Sequence, residues 1–96
     1  MKLAHKTLLR SCSITEGRFY DILDCVHRDI ENAAGMGKTI TTYALPPLSE
    51  TRRAWALASV MRAFLEDEGY LVSWDIEENE DDDFDVQLHI GWAVVK

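Results

Sequence analysis

The segment of residues 32 to 39, NAAGMGKT, contains the glycines, lysine and threonine typical of a loop that binds phosphate. Such a loop requires glycine where Asn32 stands, and it must follow a strand and open a helix, so that backbone N–H groups meet the phosphate. Here the apolar periodicity places the segment after a helix and before a strand, where carbonyl groups would face a ligand. The pattern therefore indicates a helix stop followed by a turn, and it argues against nucleotide hydrolysis.

Acidic side chains are concentrated in one segment. Between residues 75 and 85 lie eight of the 17 acidic residues and no Lys or Arg, whereas the rest of the chain holds nine acids and ten bases. An EF-hand calcium loop would need a central glycine, which this run lacks. Two interpretations stay open: a solvated hairpin tip that keeps the protein soluble, or a tip that imitates nucleic-acid phosphates and binds a basic groove on another protein. The candidate partner-binding residues of the tip are Glu80, Asp81, Asp82 and Asp83.

The three histidines, His5, His27 and His89, have no partner at the spacing of a metal site or a catalytic triad. No serine or cysteine stands in a recognisable nucleophile motif. We therefore predict a protein that is not an enzyme and that holds no metal or cofactor. His89 is a candidate binding residue because the strand pattern places it on an uncovered sheet face, where it is either solvated or bonded to a ligand.

Trp55 lies outside the apolar arc of its predicted helix, on the side shared with Ser59, Arg62 and Glu66. Trp and Arg are residue types that dominate the binding energy of protein interfaces. Two interpretations stay open. Either Trp55 and Arg62 belong to a partner-binding surface, or Trp55 packs under the first helix or the N-terminal segment.

The composition limits the class of protein. With 47% hydrophobic and 28% charged residues, the chain fits one soluble domain over residues 1 to 96. A net charge of -7, and no basic cluster longer than the pair Arg52 and Arg53, argue against direct binding to DNA or RNA. No stretch has the apolar length of a signal peptide or membrane span, so we expect a cytoplasmic protein without membrane contact. There, Cys12 and Cys25 are expected to be free thiols.

Apolar residues recur with a helical period in two segments. The first helix is predicted from a Thr15 cap to a left-handed stop at Gly35, and the second from a Ser49 cap to a left-handed stop at Gly69. Residues 1 to 14 form a segment of uncertain structure, which is either a separate short helix or an extension of the first helix.

Three segments have the alternation or the β-branched content of strands: residues 38 to 45, 70 to 76 and 84 to 94, the last with Val94 in its apolar series. The polar loop of residues 77 to 83 joins the last two and has the length of a hairpin connection. A crossover through the second helix would make the first two strands parallel.

These elements predict an α+β fold, a two-layer sandwich of order α-β-α-β-β. It has a small three-stranded mixed sheet, two helices on one face and a C-terminal antiparallel hairpin. The other face of the sheet would be open, which favours a homo-oligomer. That open face would carry Ser73, Asp75, Gln87, His89 and Gly91.

Three stretches together resemble small α/β proteins found in many bacteriophage genomes: IENAAGMGKTIT at residues 30 to 41, LEDEGYLV at 65 to 72 and LHIGW at 88 to 92. In those proteins one helix ends near "AA..GK", a second ends in "L...GY.V", and the closing strand finishes in an "ISW"-like sequence. The departures are Gly91 where serine is frequent, the acidic insertion, and a tail after Trp92. The resemblance implies a phage accessory protein of unassigned role in the bacterial cytoplasm.

Three hypotheses of function follow. The leading one is a non-enzymatic accessory protein that binds and inhibits a host protein of the nucleic-acid-handling or defence machinery, steered by the acidic hairpin toward a basic surface. The second is an oligomer that binds a nucleotide-like small molecule, with Lys38, Arg52, Arg53 and Arg62 as phosphate contacts. The third is a minor structural component of a virion.

Overall fold

The computed structural model describes residues 1–92, which form three helices and three strands. In chain order they are α1 (Leu3–Ser11), α2 (Glu16–Gly35), β1 (Ile40–Ala44), α3 (Thr51–Asp67), β2 (Leu71–Glu78) and β3 (Phe84–Gly91). The α+β class and the hairpin of β2 and β3 are as predicted. The N-terminal segment forms a separate helix, α1. The predicted strand position of Val94 falls outside the described residues.

Local hydrogen bonds define both ends of α2. The Thr15 hydroxyl oxygen accepts the N–H of Arg18 at 3.1 Å, which confirms the predicted N-cap. At the other end Gly35 is still helical, and the left-handed residue is Gly37, with φ 82°. The predicted helix end at Gly35 is therefore confirmed, but the predicted left-handed residue is wrong by two positions, because the chain reverses only at Gly37, where a side chain would be strained.

The ends of α3 differ in how well they follow the sequence pattern. Its N-cap is Glu50 rather than the predicted Ser49, and the Glu50 side chain makes no capping hydrogen bond. At its C-terminal end Gly69 takes φ 100°, and the N–H of Tyr70 donates to the carbonyl of Leu65 at 3.1 Å. This arrangement confirms the predicted left-handed stop, which turns the chain directly into β2.

The sheet is antiparallel throughout, rather than mixed, and its strand order is β1-β3-β2. β1 and β2 do run in the same direction, but β3 lies between them and pairs with both. A bridge between Leu48 and Phe84 extends the pairing of β3 beyond β1, into the segment that leads to α3. β3 is therefore the central strand, and β1 and β2 are both outer strands.

The helices lie on one face of the sheet, as predicted. α2 covers β1, α3 covers β2 and β3, and α1 packs on α3 and α2. Because α3 lies between α1 and the sheet, its buried set is broader than a single stripe: Ala54, Ala56, Leu57, Ala58, Val60, Met61 and Leu65. From β3, the side chains of Val86, Leu88 and Ile90 are fully buried beneath the helices.

The opposite face of the sheet is uncovered. The alternation of the strands places on it Ile40, Thr42, Ala44, Leu71, Ser73, Asp75, Glu77, Asp85, Gln87, His89 and Gly91.

Cys12 is buried, Cys25 is exposed, and both are free thiols, as expected. Burial raises the pKa of the Cys12 thiol. Of the helices described up to residue 92, none is long and apolar enough to cross a membrane.

Candidate functional site

One asparagine holds the acidic hairpin turn in place. The side-chain oxygen of Asn79 accepts the N–H of Asp81 at 2.9 Å and that of Asp83 at 3.1 Å. Its side-chain nitrogen donates to a carboxylate oxygen of Asp85 at 3.1 Å. Asp82, at the tip, has φ 62°, a left-handed conformation that Asp and Asn adopt more readily than most residues. The carboxylates of the tip are therefore displayed on a hydrogen-bonded turn.

The charge of this turn is not neutralised by neighbouring bases. In residues 1–92 the ion pairs of Lys and Arg all involve other acids. Glu77 on β2 lies directly opposite Asp85 on β3, and like charges in that position destabilise a sheet. Of the four predicted tip residues, Glu80, Asp81 and Asp82 are exposed and Asp83 is half-buried. The hairpin end of the molecule is thus a negative surface whose field attracts positive charge.

Replacing Asn79 by alanine is expected to lower the free energy of unfolding by about 1–2 kcal/mol, because two backbone N–H groups and one carboxylate lose a hydrogen-bond partner. Urea unfolding measures the loss, and the amides of Asp81 and Asp83 should exchange hydrogen faster. The matched control is Asn32→Ala, since Asn32 is exposed on α2; we expect a change below about 0.5 kcal/mol. Equal stability of the two variants would mean that the turn does not depend on Asn79.

Two tryptophans and an arginine meet beside the outer strand β2. Trp55 of α3 is 54% exposed, and its ring meets the Trp74 ring edge-on, with centroids 5.4 Å apart. The guanidinium carbon of Arg62 lies 5.6 Å from the Trp74 centroid, within the range of a cation–π contact. Arg62 Nε also donates to the Glu66 carboxylate at 2.9 Å. We call Trp55, Arg62 and Trp74 the tryptophan cluster; its mutual contacts restrict the three side chains before any partner binds.

The chain links the tryptophan cluster to the acidic turn in two places. Trp74 is on β2, and the turn follows the last residue of that strand. Trp55 lies near the start of α3, and the segment before α3 bridges to Phe84, the residue that follows the turn. The tryptophan cluster and the acidic turn are therefore joined through β2 and through the segment that precedes α3.

His89 lies on the uncovered sheet face, as predicted, and its ring contacts both neighbouring strands. Nε2 is 2.8 Å from Asp75 Oδ2 on β2, and Nδ1 is 3.4 Å from Thr42 Oγ1 on β1. No group of three or more His, Cys, Asp and Glu side chains within residues 1–92 is arranged to hold a metal ion. Both ring nitrogens of His89 are thus engaged within the sheet, and the side chain lies on the opposite face from Trp74.

The segment that resembles a phosphate loop has its turn amides already engaged. The N–H groups of Met36, Gly37 and Lys38 donate to carbonyls at the end of α2, at 3.2, 2.9 and 3.0 Å. This agrees with the interpretation of a helix stop and a turn. Two of the cations considered as phosphate contacts, Arg53 and Arg62, form ion pairs with glutamates within four residues along the chain. These observations argue against a phosphate-binding site in this segment.

Two residues of these surfaces were not singled out from the sequence. The alternation of its strand places Trp74 on the covered face with Val72, but β2 is an outer strand, so the Trp74 ring reaches the edge and meets Trp55 and Arg62. Asn79 stands at the start of a polar loop and is a residue type that forms such turns, a signal that could have identified it. The structure thus places the tip acids on one turn and brings both Trp55 and Arg62 to Trp74, while His89 lies on the opposite face of the sheet.

The described residues define a small α+β protein with a negative hairpin, an exposed tryptophan cluster and an uncovered sheet face. Comparisons of the chain with protein-family models, with curated proteins and with solved structures find no significant match. The function is therefore argued from the residues and their geometry.

Proposed function

We propose that this protein is a non-enzymatic binding protein that docks on a basic surface of a partner protein through its acidic turn and its tryptophan cluster. The observation that carries the proposal is Trp55, a tryptophan that is 54% exposed and yet held edge-on against a second tryptophan. A restrained aromatic side chain loses little entropy on binding, and tryptophan is a residue type that often dominates binding energy.

The acidic turn supports a basic partner. Its carboxylates lie on a turn that Asn79 orders, and no Lys or Arg among residues 1–92 forms an ion pair with them. Their field therefore extends into solvent, where it accelerates encounter with a positive surface and disfavours negative ones. The same field opposes direct binding to nucleic acid.

The resemblance to phage accessory proteins guides the choice of partner. Host proteins that handle nucleic acid, including those of defence systems, use Lys and Arg side chains to bind phosphates. An acidic protein that occupies such a basic surface excludes the nucleic acid and so inhibits the host protein. Inhibition by occupation is the activity that we propose.

The first test is affinity capture from a bacterial lysate at about 0.1 M and about 1 M salt, between which the Debye length falls from about 10 Å to about 3 Å. The bait is the wild type or a variant with Asp81→Asn, Asp82→Asn and Asp83→Asn; asparagine keeps the shape and tolerates the left-handed backbone of Asp82. We expect a protein with a basic surface to be captured at low salt, and capture to fall sharply both at high salt and with the variant.

The control variant combines Asp21→Asn, Asp24→Asn and Glu31→Gln. It removes the same number of charges from exposed positions of α2, away from the turn, so it should retain the partner. Equal capture by the two variants would remove the acidic turn from the proposal. A captured partner that binds nucleic acid equally well in the presence of saturating protein would contradict inhibition by occupation.

A further inference from the structure

Gly91 lies on the uncovered sheet face at a position where nothing in the described chain requires glycine. It belongs to the central strand and pairs with Ile40 on β1 and Leu71 on β2. Its φ lies outside the left-handed region, and a Cβ added there would meet only the Thr39 carbonyl oxygen, at 3.9 Å. Glycine weakens a strand, and where the fold does not demand it, it often marks a close approach of another molecule to the backbone.

The two residues beside Gly91 are large, aliphatic and exposed. Leu71 is 73% exposed and Ile40 is 57% exposed. Since Gly91 has no side chain, an open and mainly apolar depression lies between these two at one end of the sheet. The ion-paired Arg62 and Glu66 of α3 also line it. Exposed apolar groups around a gap of this kind gain free energy when an aliphatic side chain of another molecule fills it.

The other end of the uncovered face is negative. Asp75, Glu77 and Asp85 lie there, with Glu77 directly opposite Asp85, and the strand residues assigned to this face include no Lys or Arg. The row that contains His89 separates the two ends. Along the strands, the face therefore changes from apolar to acidic, and the repulsion between Glu77 and Asp85 would be relieved by a cation from outside the chain.

The dimensions of the face suit one helix. Neighbouring strands lie about 4.8 Å apart, so the two outer strands are separated by about 10 Å, which is close to the diameter of an α-helix with its side chains. Gly91 and Asp85 are six residues apart on β3, which corresponds to about 20 Å of strand. A helix of about 13 residues covers that length.

We propose that the uncovered face binds one amphipathic helix of the partner protein, with an aliphatic side chain in the depression at Gly91 and with Lys or Arg side chains over Asp75, Glu77 and Asp85. This rests on the proposed function and identifies the element of the partner that is bound. A second copy of this chain suits the face less well, because it would bring a further set of acids and no strand Lys or Arg to pair with them.

The test uses the full chain and a fluorescent synthetic helical peptide of about 16 residues, whose one face carries leucine at one end and lysine at the other. A control peptide has the same composition with these residues distributed around the helix. Fluorescence anisotropy should show binding of the first peptide, at least about tenfold tighter than that of the control.

Gly91→Val is the decisive variant. Valine fills the depression, so the affinity for the first peptide should fall at least about tenfold, and Gly91→Ala should give an intermediate loss. The midpoint of urea unfolding should stay or rise, because valine suits a strand better than glycine. A variant that gains stability and loses binding separates the binding role of Gly91 from a structural one.

Glu77→Gln tests the acidic end of the face. It should weaken peptide binding and reduce its dependence on salt, while removal of the repulsion with Asp85 keeps or raises stability. Its matched control is Glu31→Gln on α2, which should leave both measurements unchanged.

Equal peptide affinity of the wild type and Gly91→Val would overturn the proposal, and so would failure of both peptides to bind. A concentration-dependent dimer in sedimentation that Gly91→Val abolishes would overturn it in favour of a second copy of this chain. If these failures occur while lysate capture still depends on salt and on Asp81, Asp82 and Asp83, only the helix-binding face is refuted. If capture loses that dependence, the proposed function fails with it.

Discussion

Replacing Phe19 by alanine is expected to lower the free energy of unfolding by about 3–5 kcal/mol. Phe19 of α2 is 0% exposed, and its ring meets that of Phe64 on α3 edge-on, at a centroid distance of 4.9 Å. Phe64 also contacts the His5 ring of α1 at 5.4 Å. Because this aromatic group joins all three helices, the packed helices cannot fully close the cavity that the substitution leaves.

Urea unfolding followed by tryptophan fluorescence measures the effect, which is a large share of the roughly 5–15 kcal/mol by which a domain is stable. Tyr20→Ala is the matched control, because Tyr20 is the next residue and is 39% exposed while it also touches Phe64. We expect it to lower stability by about 0.5–1.5 kcal/mol. Similar losses in the two variants would mean that burial of Phe19 does not hold the helices together.

The order of the elements and the buried face of each could be predicted, because the spacing of apolar residues along the chain indicates both. The placement of Phe19 on the apolar arc of α2 follows from a spacing of 3.6 residues, and that of Val72, Leu88 and Ile90 on the covered face of the sheet follows from a spacing of two. Such patterns report which side of an element is buried and need no knowledge of its neighbours.

The strand order could not be predicted in the same way. The alternation of β3 is the same whether β3 lies at the edge of the sheet or between β1 and β2, so a mixed and an antiparallel sheet are equally compatible with it. Long-range pairing decides between them: the bridge from Leu48 to Phe84 continues the β1–β3 ladder. The shift of the left-handed residue from Gly35 to Gly37 has a similar origin, since either glycine could end the helix locally.

The candidate surfaces likewise combine features that local patterns predict with features that depend on strand pairing. The position of Trp55 outside the apolar arc could be predicted from helix rotation, although its exposure could not, since packing under the first helix or the N-terminal segment stayed open. Its packing against Trp74 could not, because the two rings meet only if β2 is an outer strand beneath α3. The pairing of His89 with Asp75 likewise depends on the register of two strands.

Replacing Trp55 by alanine is expected to weaken binding of the captured partner by at least about 2 kcal/mol, or about 30-fold. The free energy of unfolding should fall by only about 0.5–1.5 kcal/mol, since the substitution removes mainly the edge-on packing against Trp74 and the side chain is half in solvent. Isothermal titration with the purified partner measures the first quantity, and urea unfolding the second. If Trp55→Ala loses more binding free energy than unfolding free energy, Trp55 is a binding residue. If the two losses are equal, Trp55 is a packing residue.

Two further variants sharpen this comparison. Trp55→Phe keeps an aromatic ring against Trp74 and should recover part of the affinity, whereas Tyr20→Ala removes an exposed aromatic side chain from α2 and should leave the affinity unchanged. Arg62 contacts Trp74 rather than Trp55, so Arg62→Gln tests a second member of the tryptophan cluster. If Trp55 and Arg62 bind the partner independently, the double variant of Trp55→Ala and Arg62→Gln should lose the sum of the two binding free energies. Effects in the double variant that fall well short of additive would show that the three side chains bind as one unit, and an unchanged affinity for Trp55→Ala would move the binding surface away from this edge.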